Sequence, residues 1–340
     1  MTFDDGRGRQ LATWPPPSPA PATAIKPGVI PLRPLMLTDI FNAALTYVRV
    51  NPKTALGLTA IVVVIAQIIV LIINGVFPVT VRLDDESAAT IVSLYARVLA
   101  LLAINGLAGV LLSGMLTVVV GRAVFGAPIT MREARSLMGR RLWALLGFTV
   151  LQGLAVGVLI GVPFALIAAT NQALPVVAVL IGFPLLLCAI LLVVYLWTMV
   201  TFTPAIIVLE RMPVLAAIKR SFALIRRSFW RVFGITVLAK LVAQALALAL
   251  AWPFRVGGEV LQLVVDSRLG KLGAVALSTV GLSIGDVIIL PFLAGVVVLL
   301  YTDRRMRAEA FDLVLQTGAS GDEPSGEADS TDRLWQIRHP

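Results

Sequence analysis

The sequence predicts an all-α fold, a polytopic helical membrane bundle of about six transmembrane helices in three units, each a surface helix followed by two spans. Three observations predict it. Charged residues make up only 14% of the chain and hydrophobic ones 58%, whereas a soluble domain carries about 25% charged residues. Several stretches run to ~18 or more mostly apolar residues, long enough to cross a bilayer as helices. The Lys and Arg residues lie almost entirely between those stretches, alternately dense and sparse, as membrane topology requires.

The first 35 residues contain eight prolines and no apolar core of a signal peptide, and read as a disordered, partly polyproline tail. A membrane domain over 36–316 follows, with spans predicted near 54–76, 98–120, 144–169, 175–200, 232–252 and 276–301. Pro163, Pro184 and Pro291 fall inside spans and mark kink points. From 317 to 340 the chain turns acidic and reads as a second disordered tail.

Of the 28 Lys and Arg residues, 22 fall in the two tails and the loops after spans 2 and 4, against four in the remaining loops. The positive-inside rule therefore places both termini in the cytoplasm, as an even span count also requires. The net charge of +9 is accounted for by topology, with no nucleic-acid partner implied.

Amphipathic helices are predicted before each odd-numbered span, near 37–50, 130–142 and 213–229. In "RMPVLAAIKRSFALIRRSFWRVFG", residues 211–234, Leu215, Ile218, Phe222, Ile225 and Phe229 recur at steps of three and four. Lys219, Arg220, Arg226 and Arg227 take the opposite face, and Trp230 marks the headgroup level. In "PITMREARSLMGRRLW", Thr130 and Glu133 have capping-box spacing, with Ala134, Leu137, Met138 and Leu142 on the apolar side. Before span 1, Leu37, Phe41, Ala44 and Val48 share a face, with Thr38 or Asp39 at the helix start. The second and third units match best, each with Arg-Ser (Arg135-Ser136, Arg220-Ser221), then paired arginines, then Trp. Such repeats accompany pseudo-symmetric bundles. The basic faces carry the candidate headgroup contacts, Arg135, Arg140, Arg141, Lys219, Arg220, Arg226 and Arg227, and anionic lipids are the expected partners.

Within the spans, Gly153, Gly157 and Gly161 form a small-residue stripe, and Gly281 and Gly285 a shorter one. Ordinary packing inside the chain is the expected use of such stripes, with homodimerisation the alternative. Lys240 and Gln244 in span 5 and Asp286 in span 6 form a candidate intramembrane polar site. These groups either hold the two spans together or line a polar path, and Lys240 has the further option of snorkelling to the cytoplasmic face.

Three blocks carry a resemblance. "PGVIPLRPLMLTDIFNAALTYVRVNPKTALG" (27–57), "TPAIIVLERMPVLAAIKRSFALIRRSFWRVFGI" (203–235) and "LLYTDRRMRAEAFDLVLQ" (299–316) resemble the glycerophosphoryl diester phosphodiesterase membrane domain family, six-span bacterial proteins of uncharacterised role. The resemblance implies a plasma-membrane protein. Some relatives carry a fused catalytic domain that uses paired histidines and metal-binding carboxylates. Here the only histidine is His339, so the resemblance does not bring the activity with it. In the third block Glu309 lies four residues after Arg305 and Asp312 five after Arg307, which predicts local ion pairs.

The chain shows no phosphate-cradling glycine loop, nucleophile elbow or metal-ligand cluster, and its one cysteine, Cys188, sits in an apolar span. The expectation is a non-enzymatic membrane protein without cofactor that binds anionic headgroups or a membrane or cytoplasmic partner. A transporter or lipid-moving protein with a polar site near Lys240 and Asp286 is the alternative, and a membrane-embedded lipid phosphodiesterase comes last.

Overall fold

The computed structural model describes residues 35–76, 88–124, 139, 141–171, 175–265, 267–309 and 335. Every element among them is a helix, and six helices are long and apolar enough to cross a membrane. Most of the surface helix expected over 130–142, including Arg135 and Arg140, lies outside the described residues. So do Asp312 and the two tails, apart from Leu35 and Trp335.

Helix α1 (Leu37–Val50) opens at Asp39, whose carboxylate accepts the Met36 N–H at 3.0 Å. A carboxylate there satisfies one of the unpaired N–H groups and sits at the positive end of the helix dipole. The buried face is Ile40, Ala43, Ala44 and Tyr47, rotated from the expected one, which leaves Leu37 exposed. Tyr47 sets this rotation. Its ring covers Gly295, where an added Cβ would sit 2.5 Å from a ring carbon, and its hydroxyl donates to the Pro291 carbonyl. Burial pushes the Tyr47 phenol well above its ordinary range, so it stays a neutral donor. Phe41 stacks on Phe292 with ring centres 5.5 Å apart. Asn51 then leaves the helical region (φ −122°, ψ 53°), as a residue before proline must, and Pro52 starts α2 (Pro52–Val76) at the one helical position that needs no N–H.

The chain continues through α3 (Ala88–Val124), α4 (Leu142–Asn171), α5 (Pro175–Met199), the short α6 (Thr203–Leu209), α7 (Val214–Arg226), α8 (Phe229–Val264) and α9 (Arg268–Glu309). α9 is the hub. It packs along α8 and also touches α1, α2, α3 and α7. The first and third units keep the expected order, as α1–α2–α3 and α7–α8–α9. Only 6% and 11% of the apolar windows of α4 and α5 are buried, against 22–39% in the other four. That hairpin is therefore peripheral, with most of its apolar surface facing outward.

The last two helices are longer than the spans predicted within them. α8 has 36 residues and α9 has 42, about 54 and 63 Å at ~1.5 Å per residue, longer than a ~30 Å hydrocarbon layer. The span predicted to end at 252 does not end there: α8 continues through Pro253. Proline forfeits one backbone hydrogen bond, and close packing beyond it offsets the loss. Gly258 lies so near Ala274 and Ser278 that a Cβ would be 2.8 Å from their oxygens. α8 ends at Val264 and α9 begins at Arg268.

The α8–α9 seam is built of small residues. Ala239, Ala243, Ala247 and Ala251 are buried at four-residue spacing on α8. Opposite them, a Cβ on Gly281 would meet Phe254 at 2.5 Å, and one on Gly285 the Ala247 backbone at 3.3 Å. Close backbone approach holds apolar helices together where lipid gives no hydrophobic drive. The Gly153–Gly157–Gly161 stripe is different. An added Cβ at any of the three meets nothing within 4 Å among the described residues, so this stripe does not pack against the described part of the chain, contrary to expectation. The reason is the peripheral position of the α4–α5 hairpin. Gly281→Leu is accordingly expected to destabilise the purified protein by about 1–3 kcal/mol through overpacking, while Gly157→Leu leaves the thermal midpoint in detergent unchanged. Equal midpoints for the two variants would refute the asymmetry.

The most densely buried part of the bundle is one end. There Leu116, Val119 and Val120 of α3 meet Phe202, Ile206 and Ile207 around α6, Ala217 and Ile225 of α7, and Leu299, Leu300 and Tyr301 of α9. Because this end also gathers most of the described Lys and Arg side chains, it is called the basic end below.

Candidate functional site

Two carboxylates are buried at the basic end, and each holds arginines from distant parts of the chain. The first is Glu210, just after α6, with its side chain fully buried. Arg220 of α7 meets it through Nε in a contact ion pair, and the Tyr301 hydroxyl donates to its Oε1. Arg305 lies 3.9 Å from Glu210 and donates to Glu309 at 3.1 Å. Arg220 Nη2 closes the ring with bonds of 2.8 and 3.0 Å to the two Glu309 oxygens. Burial works against the Arg220 charge, but the Glu210 hydrogen bond and the Glu210 and Glu309 charges outweigh it and hold its pKa above the ordinary guanidinium value. The turn that delivers Glu210 is tight. Arg211 adopts φ 58°, a left-handed conformation uncommon outside glycine, to reverse the chain between α6 and α7.

Trp335 closes the ring from above. It is 2% exposed, stacks on Tyr301 with ring centres 6.3 Å apart, and its carbonyl accepts from Arg305 at 3.1 Å. The tail expected to be disordered over 317–340 is docked at this residue, because an aromatic face and a carbonyl together complete the surroundings of a buried guanidinium.

The second carboxylate is Asp303, also fully buried. Its Oδ1 accepts the Leu35 N–H and Arg307 Nε, both at 2.9 Å, and Arg231 Nη2 lies 3.4 Å from Oδ2. Arg231 and Arg307 also donate to the Leu35 carbonyl, at 2.8 and 3.2 Å. The start of α1, the start of α8 and the end of α9 are thereby fastened to one another.

The residues expected to act do not all gather. Arg220 was expected on the solvent face beside Lys219; instead it turns inward to Glu210, because it sits at the edge of α7's buried face, next to Ser221. Ser221 Oγ donates to the Met199 carbonyl at 2.6 Å, so both residues of the repeated Arg-Ser pair serve packing in this unit. Leu215, expected on the apolar face, is exposed, and the buried positions are Ala217, Ser221, Leu224 and Ile225. Lys219, Arg226 and Arg227 do lie on the exposed side. Arg141 is partly buried, and burial, then the nearby Arg211 charge, lower its pKa. The predicted pair of Arg305 and Glu309 is present.

No hydrogen bond or ion pair joins Lys240, Gln244 and Asp286 among the described residues. The Lys240 ammonium lies over the Trp197 ring, 5.4 Å from its centre, near the basic end of α5, so Lys240 reaches toward that end as a snorkelling lysine does. Asp286 makes no ion pair among the described residues. Exposed tryptophans bracket α8, Trp230 at the basic end and Trp252 toward the other. They are 22 residues apart, about 33 Å along the axis, which matches the distance between two membrane interfaces.

Glu210, Asp303 and Arg231 were not singled out by sequence reasoning. The available signal was modest. Glu210 is a lone carboxylate after the apolar run TPAIIVL, and Asp303 follows the apolar run VVVLLYT just before the arginines of RRMR. Among the described residues no group of three His, Cys, Asp or Glu side chains is placed to hold a metal ion.

Six spans and a cross-braced basic end define a multi-pass helical membrane protein. No family model matches the chain, and no curated protein or solved structure does either.

Proposed function

We propose that this is a non-catalytic multi-pass plasma-membrane protein whose basic end faces the cytoplasm and binds the anionic headgroups of the inner leaflet. The observation that carries the reading is the sorting of cations on α7. Arg220 is committed to buried carboxylates, while Lys219, Arg226 and Arg227 are exposed and have no carboxylate partner among the described residues. Cations that only fixed topology would need no such division. The excess of Lys and Arg at this end supports the cytoplasmic orientation. The non-catalytic reading is supported by the engagement of Glu210, Asp303 and Glu309 with arginines, which leaves them poor acid–base groups. The three sequence blocks support assignment to the glycerophosphoryl diester phosphodiesterase membrane domain family, without its hydrolase chemistry. The contact of Lys240 with the Trp197 ring gives the transporter reading nothing specific.

Arg226→Gln combined with Arg227→Gln tests the proposal. Each cation near an anionic leaflet contributes ~1 kcal/mol, so retention of phosphatidylglycerol by the purified protein should fall by roughly thirtyfold. Orientation, read from reporter fusions at the C-terminus, should not change. Undiminished retention would reject headgroup binding through α7.

A further inference from the structure

The groove between the start of α1 and the first turns of α8 joins apolar walls to a cationic lip. It has a volume of about 320 Å³ and is lined by Leu37, Trp230, Arg231, Gly234, Ile235 and Leu238. The α8 residues share one face at helical spacing, so the groove runs from Arg231, beside the exposed Trp230, down toward the hydrocarbon. Gly234 keeps it open, since a Cβ added there meets nothing within 4 Å.

The lip is over-supplied with positive charge. The lip itself presents Arg231, and behind it Arg304 and Arg307 lie around Asp303 within electrostatic reach of Arg231, three cations against one carboxylate. Both Asp303 oxygens are already occupied by Leu35, Arg307 and Arg231. Arg304 Nε is buried and has no hydrogen-bond partner among the described residues, an orphaned charged donor that such a position rarely tolerates. Arg231 commits only Nη2 and keeps its side chain 38% exposed, leaving further N–H donors of its planar fork. A tetrahedral, singly charged phosphodiester suits such donors, and an apolar groove beside them suits a chain covalently attached to it.

We infer that this junction is a discrete binding site for one anionic phospholipid, its phosphate held by Arg231 and Arg304 and one acyl chain lying along Leu37, Ile235 and Leu238. The inference rests on the headgroup-binding reading of the basic end but uses different residues from α7, so the two can fail separately. A free anion would need only the arginines. The groove commits the site to a lipid.

The test is native mass spectrometry of the full chain in detergent, titrated with phosphatidylglycerol and, separately, with phosphatidylcholine. The wild type should hold one phosphatidylglycerol in preference to phosphatidylcholine. Arg304→Gln should weaken that binding about fivefold, as removal of one interfacial cation does. Gly234→Leu, which fills the groove without a clash, should weaken it at least as much, and both variants should keep the wild-type thermal midpoint. Inorganic phosphate at millimolar concentration should not displace the lipid. The inference is overturned if either variant binds phosphatidylglycerol like the wild type, or if phosphate displaces the lipid, which would make it a site for a free anion. Loss of binding in the α7 double variant with full binding in Arg304→Gln and Gly234→Leu would overturn this site and leave the α7 reading standing.

Discussion

Glu210→Ala is expected to destabilise the protein by about 3–5 kcal/mol, the cost of stripping a buried charge of its partner. The residue sits at a junction of four groups. Removing its carboxylate leaves Arg220 Nε and the Tyr301 hydroxyl without their acceptor, in a place from which water is excluded. Arg305 suffers less, since Glu309 and the Trp335 carbonyl still receive it. Glu210→Gln should cost less than alanine, because an amide oxygen still accepts from Tyr301. Glu210→Leu combined with Arg220→Leu should recover much of the loss, since an apolar pair of similar volume avoids both desolvated charges. Unfolding midpoints of the four proteins in one detergent measure this. A double variant no more stable than Glu210→Ala would show that the ion pair itself, and not the orphaned arginine, carries the stability of this end.

The bundle and its basic end were legible in the sequence to very different degrees. Six spans follow from hydropathy alone, because a bilayer imposes length and apolarity on each segment independently of its neighbours. The α7 helix followed from periodicity for the same local reason. What periodicity misses is a residue whose partner lies far along the chain. Arg220 and Glu309 are 89 residues apart and Leu35 and Asp303 are 268 apart. A helical wheel places Arg220 next to Lys219, and no wheel shows that one turns inward to a carboxylate brought by α6. The same limit explains the rotated face of α1, which is set by the fit of Tyr47 on Gly295, and the continuation of α8 through Pro253, which is set by packing against α9. It also explains the glycines. Gly153 and Gly281 look alike in sequence, yet only Gly281 has a helix pressed against it. Lys240 and Asp286 attract attention because charges in spans are costly. Here the lysine's length and the Trp197 ring supply a local answer that asks for no partner on α9.

Asp303→Ala is the second large effect, expected near ~2–3 kcal/mol, the range for hydrogen bonds to a charged group. It should fall below the Glu210 loss for a structural reason. The arginines that Asp303 holds are 38% and 35% exposed, so water can take over part of their solvation, whereas Arg220 is 18% exposed. The consequence should also be local rather than global. Asp303 is the acceptor for the Leu35 N–H, and its two arginines grip the Leu35 carbonyl, so the carboxylate fixes where the chain enters α1. Without it, the amides from Leu35 to Ile40 should exchange hydrogen faster by one to two orders of magnitude, at ~1.4 kcal/mol per factor of ten. Amides near Ala44 and Tyr47 should change little, because Tyr47 remains seated on Gly295 and bonded to the Pro291 carbonyl. Asp303→Asn should separate the two roles. It retains an oxygen for the Leu35 N–H and gives up the charge that Arg231 and Arg307 share, so exchange at Leu35 should stay slow while the midpoint falls. Uniformly accelerated exchange along all of α1 in Asp303→Ala would mean that the helix is held from its first residue, with Tyr47 following rather than anchoring it.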